Sequence, residues 1–205
     1  MKLRLFPQET AGLQALARMS DHILAGTQTL AELLGAGRTG FTPLTQSLRK
    51  QEAESTADFA TLLTNMRTSF INPLPREDLY TLGQLLNETS EILTGAGELI
   101  ELYVLDRTPT RISDQLEILA RQAELTSTAM KSLNDLDGLE DYWLEVLRLA
   151  KRAQHTHRVV VAELLESHSA TTFTKYRSLS DQFAAASRQM RTVATQVGSI
   201  IVKES

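Results

Sequence analysis

The chain has 205 residues, a formal net charge of −4, 42% hydrophobic and 5% aromatic residues, and no cysteine. Its length allows one elongated domain or two small ones with a real core. The scarcity of aromatics favours a helix bundle over a sandwich, and the absence of cysteine excludes disulfides, zinc ribbons and thiol nucleophiles.

The first predicted helix covers about 8–34, with a seam at Leu16, Ser20, Ile23, Thr27, Leu30 and Leu34. The run Gly35-Ala36-Gly37-Arg38-Thr39-Gly40 is read as its stop and as a flexible linker. A second helix is predicted over about 43–69, with Leu48, Phe59, Leu62 and Met66 on its apolar side. The corner Ser69-Phe70-Ile71-Asn72-Pro73-Leu74-Pro75-Arg76-Glu77-Asp78-Leu79 follows. Its prolines end one helix and position the next, and Glu77 and Asp78 fall where the positive end of a helix dipole favours carboxylates.

The third helix, about 76–105, holds a heptad seam at Leu79, Leu82, Leu86, Thr89, Leu93, Ala96, Ile100 and Tyr103. Asp106-Arg107-Thr108-Pro109 breaks the chain near its midpoint. The fourth helix, about 110–136, runs along Ile112, Leu116, Leu119, Ala123, Thr126, Met130 and Leu133. The fifth, about 139–167, runs along Leu139, Tyr142, Val146, Leu149, Ala153, Thr156 and Val160. The sixth, about 172–202, runs along Tyr176, Leu179, Phe183, Ala186, Met190, Val193, Val197 and Ile200. No comparable segment alternates with period two, so no sheet is expected. Short connections predict antiparallel neighbours. The midpoint break divides six helices into three plus three, an all-α single domain over 1–205 built of two similar three-helix units (about 8–105 and 110–203).

Residues 1–106 carry 8 basic and 13 acidic residues, net −5, and residues 107–205 carry 13 and 12, net +1. The first half is therefore the expected cation-binding half. A net negative chain is not expected to bind nucleic acid. The N-terminus has no apolar core, so no signal peptide is expected, and no run approaches the length of a membrane span.

Most motif matches lack their context. Gly35-x-Gly37-x-x-Gly40 repeats the dinucleotide fingerprint, but a helix precedes it where a strand is required. Asn87-Glu88-Thr89 is a glycosylation acceptor pattern inside a predicted helix. Ser47-Leu48-Arg49-Lys50 has nucleophile spacing without companion motifs. His155 and His157 are two apart, unlike the i, i+4 pair of a helical zinc site, and are read as solvated. No Ser/His/Asp arrangement is evident, and no enzyme activity is expected. One constellation stands out. Glu52, Glu54 and Asp58 lie on the second helix, and Asn87, Glu88 and Glu91 on the third. Glu54 with Asp58, and Asn87 with Glu91, each share a helix face and could gather oxygen ligands around a cation. The alternative is a solvated acidic face.

Taken together, these residues resemble the PhoU-related regulators encoded beside Pit-type inorganic phosphate permeases (the Pit accessory proteins). The likeness spans the chain: Leu5-Phe6-Pro7-Gln8-Glu9 at the start, Leu30-Ala31-Glu32-Leu33-Leu34 closing the first helix, and a tail from Val193-Ala194 through Ile201-Val202-Lys203. Its most specific part is the corner, where Phe70, Pro73, Arg76, Glu77 and Asp78 are similar to the family's Phe-Ile-Thr-Pro-x-Asp-Arg-Glu-Asp-Ile run. The resemblance implies a PhoU-like six-helix bundle and a cytoplasmic protein, at or near the inner face of the cell membrane, that binds a Pit-type phosphate transporter.

The resemblance also implies acidic Glu-x-x-x-Asp motifs able to hold a divalent or ferric ion. Glu54 and Asp58 fit that pattern, whereas counting back from Phe70 without a gap gives Glu52 and Thr56. On the third helix the pair is Asn87 and Glu91. In the second half, matching without gaps gives Ala150 with Gln154 and Ala184 with Arg188, none of them a carboxylate. At most one metal site is expected. The rival readings are a metal-binding bundle and a helical adaptor that forms a homo-oligomer.

Overall fold

The computed structural model describes residues 11–69, 74–136 and 138–204, and these fold into six α-helices with no strand among them. They are α1 (Ala11–Gly35), α2 (Arg38–Thr68), α3 (Arg76–Tyr103), α4 (Thr110–Lys131), α5 (Leu139–Ser167) and α6 (Ala170–Glu204). The predicted seams are the buried seams. On α4 and α6 every seam residue is buried, and across the other helices only Leu34, Phe59, Tyr103 and Thr156 are half-buried. Heptad spacing keeps one stripe of each long helix against its neighbours, and that stripe supplies the core.

Each half is a three-helix unit. Helices α1, α2 and α3 all touch one another, as do α4, α5 and α6. The units meet through α1 against α4 and α3 against α6, so four helices form the middle of the molecule. Among the described residues α2 packs only on α1 and α3, and α5 only on α4 and α6. Polar pins cross the seam between units. Ser127 donates to Asp21 at 2.6 Å and Lys131 pairs with Asp21 at 2.7 Å, joining α1 to α4. Gln189 donates to Glu88 at 2.5 Å, joining α3 to α6.

Close packing in the first unit depends on glycine. Leu48 of α2 reaches between Gly26 of α1 and Gly97 of α3, and a Cβ on Gly97 would overlap its Cδ1. A Cβ on Gly83 would lie 2.6 Å from Leu62 and 2.8 Å from the Phe59 ring, so α2 and α3 approach only because that position has no side chain.

Three boundaries differ from the sequence reading. The Gly35–Gly40 linker shrinks to Ala36 and Gly37, and α2 begins at Arg38 with Pro43 inside it. A proline there costs a backbone hydrogen bond, but tertiary anchors hold the turn. Phe41 and Thr45 are buried, Thr42 donates to Glu101 at 2.6 Å, and Arg38 bonds Asp106 at 2.8 Å. That last contact also holds the Asp106 carboxyl below its ordinary range. The fourth helix stops at Lys131, five residues early, where the Ser132 amide bonds the Ala129 carbonyl and the Asp135 amide the Ser132 carbonyl, tight turns in place of helical bonds. The sixth begins at Ala170, with only His168 and Ser169 separating it from α5.

Helix α3 ends with Val104 in the left-handed region (φ 55°). The Leu105 amide bonds the Ile100 carbonyl and the Val104 amide bonds the Glu101 carbonyl, closing a Schellman turn, and Leu105 is buried beneath it. A β-branched residue is strained where glycine is usual.

Candidate functional site

The sequence grouped Glu54, Asp58, Asn87 and Glu91 as one cation site, and the structure places them in two separate sets. Glu54 and Asp58 face α1. Asp58 receives Arg18 Nε at 2.8 Å, with a second Arg18 nitrogen also at 2.8 Å. The His22 ring bridges the two carboxylates, with Nε2 3.3 Å from Asp58 and Nδ1 3.7 Å from Glu54, and Lys50 lies 3.7 Å from Glu54. Asp58 is mostly shielded and already holds a guanidinium where a cation would sit.

The pair on α2 that faces α3 is the one given by counting without a gap. Thr56 donates to Asn87 Oδ1 at 3.1 Å, and Asn87 Nδ2 donates to Glu91 at 2.8 Å. Glu52 and Glu91 line one shallow groove with Arg49, Thr94, Gly95 and Glu98. Arg49 pairs with Glu98 at 2.9 Å. This face offers the Glu52 carboxylate and the Glu91 carboxylate already held by Asn87, with one hydroxyl and one amide. Among the described residues no group of three or more His, Asp or Glu side chains is placed to hold a metal ion. The donor set does not fit a divalent or ferric cage, which takes several oxygen ligands at short range.

The signal for the α1–α2 cluster was present in the sequence. Arg18 and His22 are four apart on the first helix, as are Glu54 and Asp58 on the second. Two such pairs on antiparallel helices meet as a basic edge on an acidic one.

The corner residues divide as well. Phe70 and Pro73 lie outside the described residues. Arg76 donates to the Ser69 carbonyl at 3.0 Å, linking the start of α3 to the end of α2. Glu77 is exposed in the first turn of α3. Asp78 is buried, and its Oδ1 accepts from Gln196 and from Lys203, both at 2.7 Å. It ties the start of α3 to the end of α6 across the two units.

In the second unit Ala150 and Ala184 are buried and Arg188 is exposed. A polar cluster has formed nearby. Gln115 of α4 donates to the Ser180 carbonyl and accepts from the Ser180 hydroxyl, each at 2.8 Å. Ser180 Oγ lies 2.9 Å from His157 Nδ1, and His157 Nε2 lies 3.3 Å from Asp181. His157 is therefore not solvated as its spacing suggested, because α6 covers it, whereas His155 is exposed. Burial holds the His157 imidazole below its ordinary range. Asp181 opposes that shift, and Arg188, Arg177 and Arg158 reinforce it.

Ser180, His157 and Asp181 have the connectivity of a hydrolase triad. Ser180, however, is fully buried and its hydroxyl proton is committed to Gln115. A nucleophile must reach substrate, so this arrangement secures three helices and offers no attack. One heptad further along, Gln122 and Ser187 repeat the pair, but their side-chain polar atoms are buried without a partner.

The sequence matches no protein-family model, and no curated protein matches it. The fold does have a match. A crystal structure of a PhoU-like protein from Shewanella oneidensis MR-1, at 2.00 Å resolution, aligns with a TM-score of 0.73 and 11% sequence identity. The alignment covers 94% of this chain and 99% of that one. At that identity the likeness establishes the fold: the chain is a PhoU-like helical bundle.

Proposed function

We propose that this chain regulates inorganic phosphate transport by binding a Pit-type phosphate permease at its cytoplasmic face. The observation that carries the reading is the fold, shared over nearly the full length with a protein described as PhoU-like. The corner residues Arg76, Glu77 and Asp78, in the order that the resemblance requires, add to it. Ser180 is buried, so its contact with His157, and that of His157 with Asp181, do not compete with a binding role. No helix among the described residues is long and apolar enough to cross a membrane, so contact with a permease would be made from outside the bilayer.

The test is affinity purification of the tagged chain from detergent-solubilised native membranes, together with phosphate uptake in a deletion strain. Co-purification of a Pit-type permease and altered uptake are expected. Unchanged uptake at every external phosphate level would end the proposal.

A further inference from the structure

Helices α5 and α6 present several exposed cations without an ion-pair partner among the described residues. Residues 146–162 contain Arg148, Lys151, Arg152 and Arg158 and no carboxylate, and residues 182–203 contain Arg188, Arg191 and Lys203 and no carboxylate. Arg148 is paired with Glu145 at 2.6 Å and Lys203 with Asp78. Lys151, Arg152, Arg158, Arg188 and Arg191 are all exposed, and no described carboxylate lies within ion-pair distance of any of them.

Helical geometry gathers most of these groups into one stripe on each helix. Along α5, Leu144, Arg148, Lys151, His155 and Arg158 step by four and three and form one stripe. Along α6, Arg188, Arg191, Thr195 and Val202 form another. His157 against Ser180 and Asp181, and Trp143 against Gly198, hold the two helices antiparallel and side by side. Arg158 follows His157 on α5, and on α6 Arg177 pairs with Asp181 at 3.7 Å, so cations of both helices flank the His157–Asp181 contact. Two aliphatic side chains share the stripes, Leu144 at 51% exposure and Val202 at 77%.

We propose that this α5–α6 face docks on an anionic lipid surface. A bilayer rich in anionic headgroups attracts clustered Lys and Arg, and its interface accommodates exposed aliphatic side chains beside them. The face is a broad side-by-side pair of helices, which suits a planar partner. A second copy of the chain is a poorer occupant, because the acidic residues of α2 and α3 are largely engaged internally. Glu54 faces His22 and Lys50, Glu98 pairs with Arg49, and Glu91 and Glu101 accept from Asn87 and Thr42. The proposal stands apart from permease binding, since it needs no other protein.

The test is co-sedimentation of the full chain with vesicles of phosphatidylcholine alone and of phosphatidylcholine with phosphatidylglycerol. A chain of net charge −4 has no overall attraction to anionic vesicles, so binding must come from a segregated face. Binding only to the anionic vesicles, weakening as salt rises, is expected. The variant Lys151→Glu/Arg188→Glu/Arg191→Glu should lose on the order of a hundredfold in affinity. The variant Lys50→Glu/Arg67→Glu/Arg107→Glu carries the same charge change elsewhere and should bind as the parent does. Circular dichroism checks folding. If charge reversal disrupts the fold, Lys151→Gln/Arg188→Gln/Arg191→Gln replaces it and should still lose about tenfold or more. Absence of anionic-vesicle binding by the parent chain would overturn the proposal and leave an acidic protein as the occupant. Equal loss in both charge-reversed variants would overturn it too, because net charge alone would then control adsorption.

Discussion

The two three-helix units follow one plan and hold it by different means. In the α1–α3 unit, glycines at positions 26, 83 and 97 let helices approach, Leu48 fills the space between them, and ion pairs such as Arg18–Asp58 line the edge. In the α4–α6 unit a single glycine, Gly198 beneath the Trp143 ring, eases the approach, and polar side chains tie the rest: buried Gln115 and Ser180, half-buried His157, and the Tyr142 hydroxyl 3.1 Å from Thr126. Burial raises the Tyr142 pKa despite that bond, so the phenol stays neutral. The plan thus constrains shape at the crossings and leaves the chemistry there free. That is how halves of one architecture can lose recognisable sequence likeness.

The largest test of this contrast is Leu48→Ala, which leaves a hole between two glycines that cannot fill it. We expect a loss of about 2–5 kcal/mol by urea denaturation. A loss below the cost of Gln115→Leu would mean that the first unit does not depend on that plug. Next, Gln115→Leu and Gln122→Leu make the same change seven residues apart on α4. The first strips Ser180 of its partner and should cost about 1–3 kcal/mol. The second removes two buried unpartnered atoms and should gain about 1 kcal/mol. Equal losses would show Gln122 to be as well partnered as Gln115.

Smaller effects probe the junction and the covered histidine. Val104→Gly relieves a left-handed β-branched residue where the units join and should raise stability by about 0.5–1 kcal/mol in thermal melts. His157 supplies a pH test. Its folded pKa lies below the unfolded value of 6.5, so the unfolded chain binds the proton first. The stability this group confers is therefore complete above pH 6.5 and is lost as pH falls through the lower folded value. His157→Gln should flatten that part of the profile, read from urea melts at a series of pH values.

Much of the fold was legible in the sequence because long heptad seams leave little choice of buried face. Nearly every seam residue named from spacing is covered in the bundle. The failures share a cause. The start of α2 is set by Thr42 and Arg38 meeting α3 and its C-terminal junction and by the burial of Phe41, tertiary terms that outweigh a proline and three glycines. The division of the candidate site has a similar origin. Spacing showed that Glu54 and Asp58 share a face, but which neighbour that face meets depends on helix rotation. Two residues of shift exchange α1 for α3 and a guanidinium for an asparagine. The covered His157 was hidden because its partners sit 23 and 24 positions away, and nothing in the local pattern marks them.

The outer placement of α2 and α5 has a temporal consequence. Only six of the 31 residues of α2 and eight of the 29 of α5 are buried, against twelve of 25 in α1. Each could swing outward while the four middle helices kept their mutual contacts. Their amides should be the first within the helical body to exchange with solvent, and independently of each other, because among the described residues they never touch. Exchange in that order would mark two separately timed flaps on a slower frame, α2 bearing the Glu54–Asp58 edge and α5 bearing Lys151, Arg152 and Arg158.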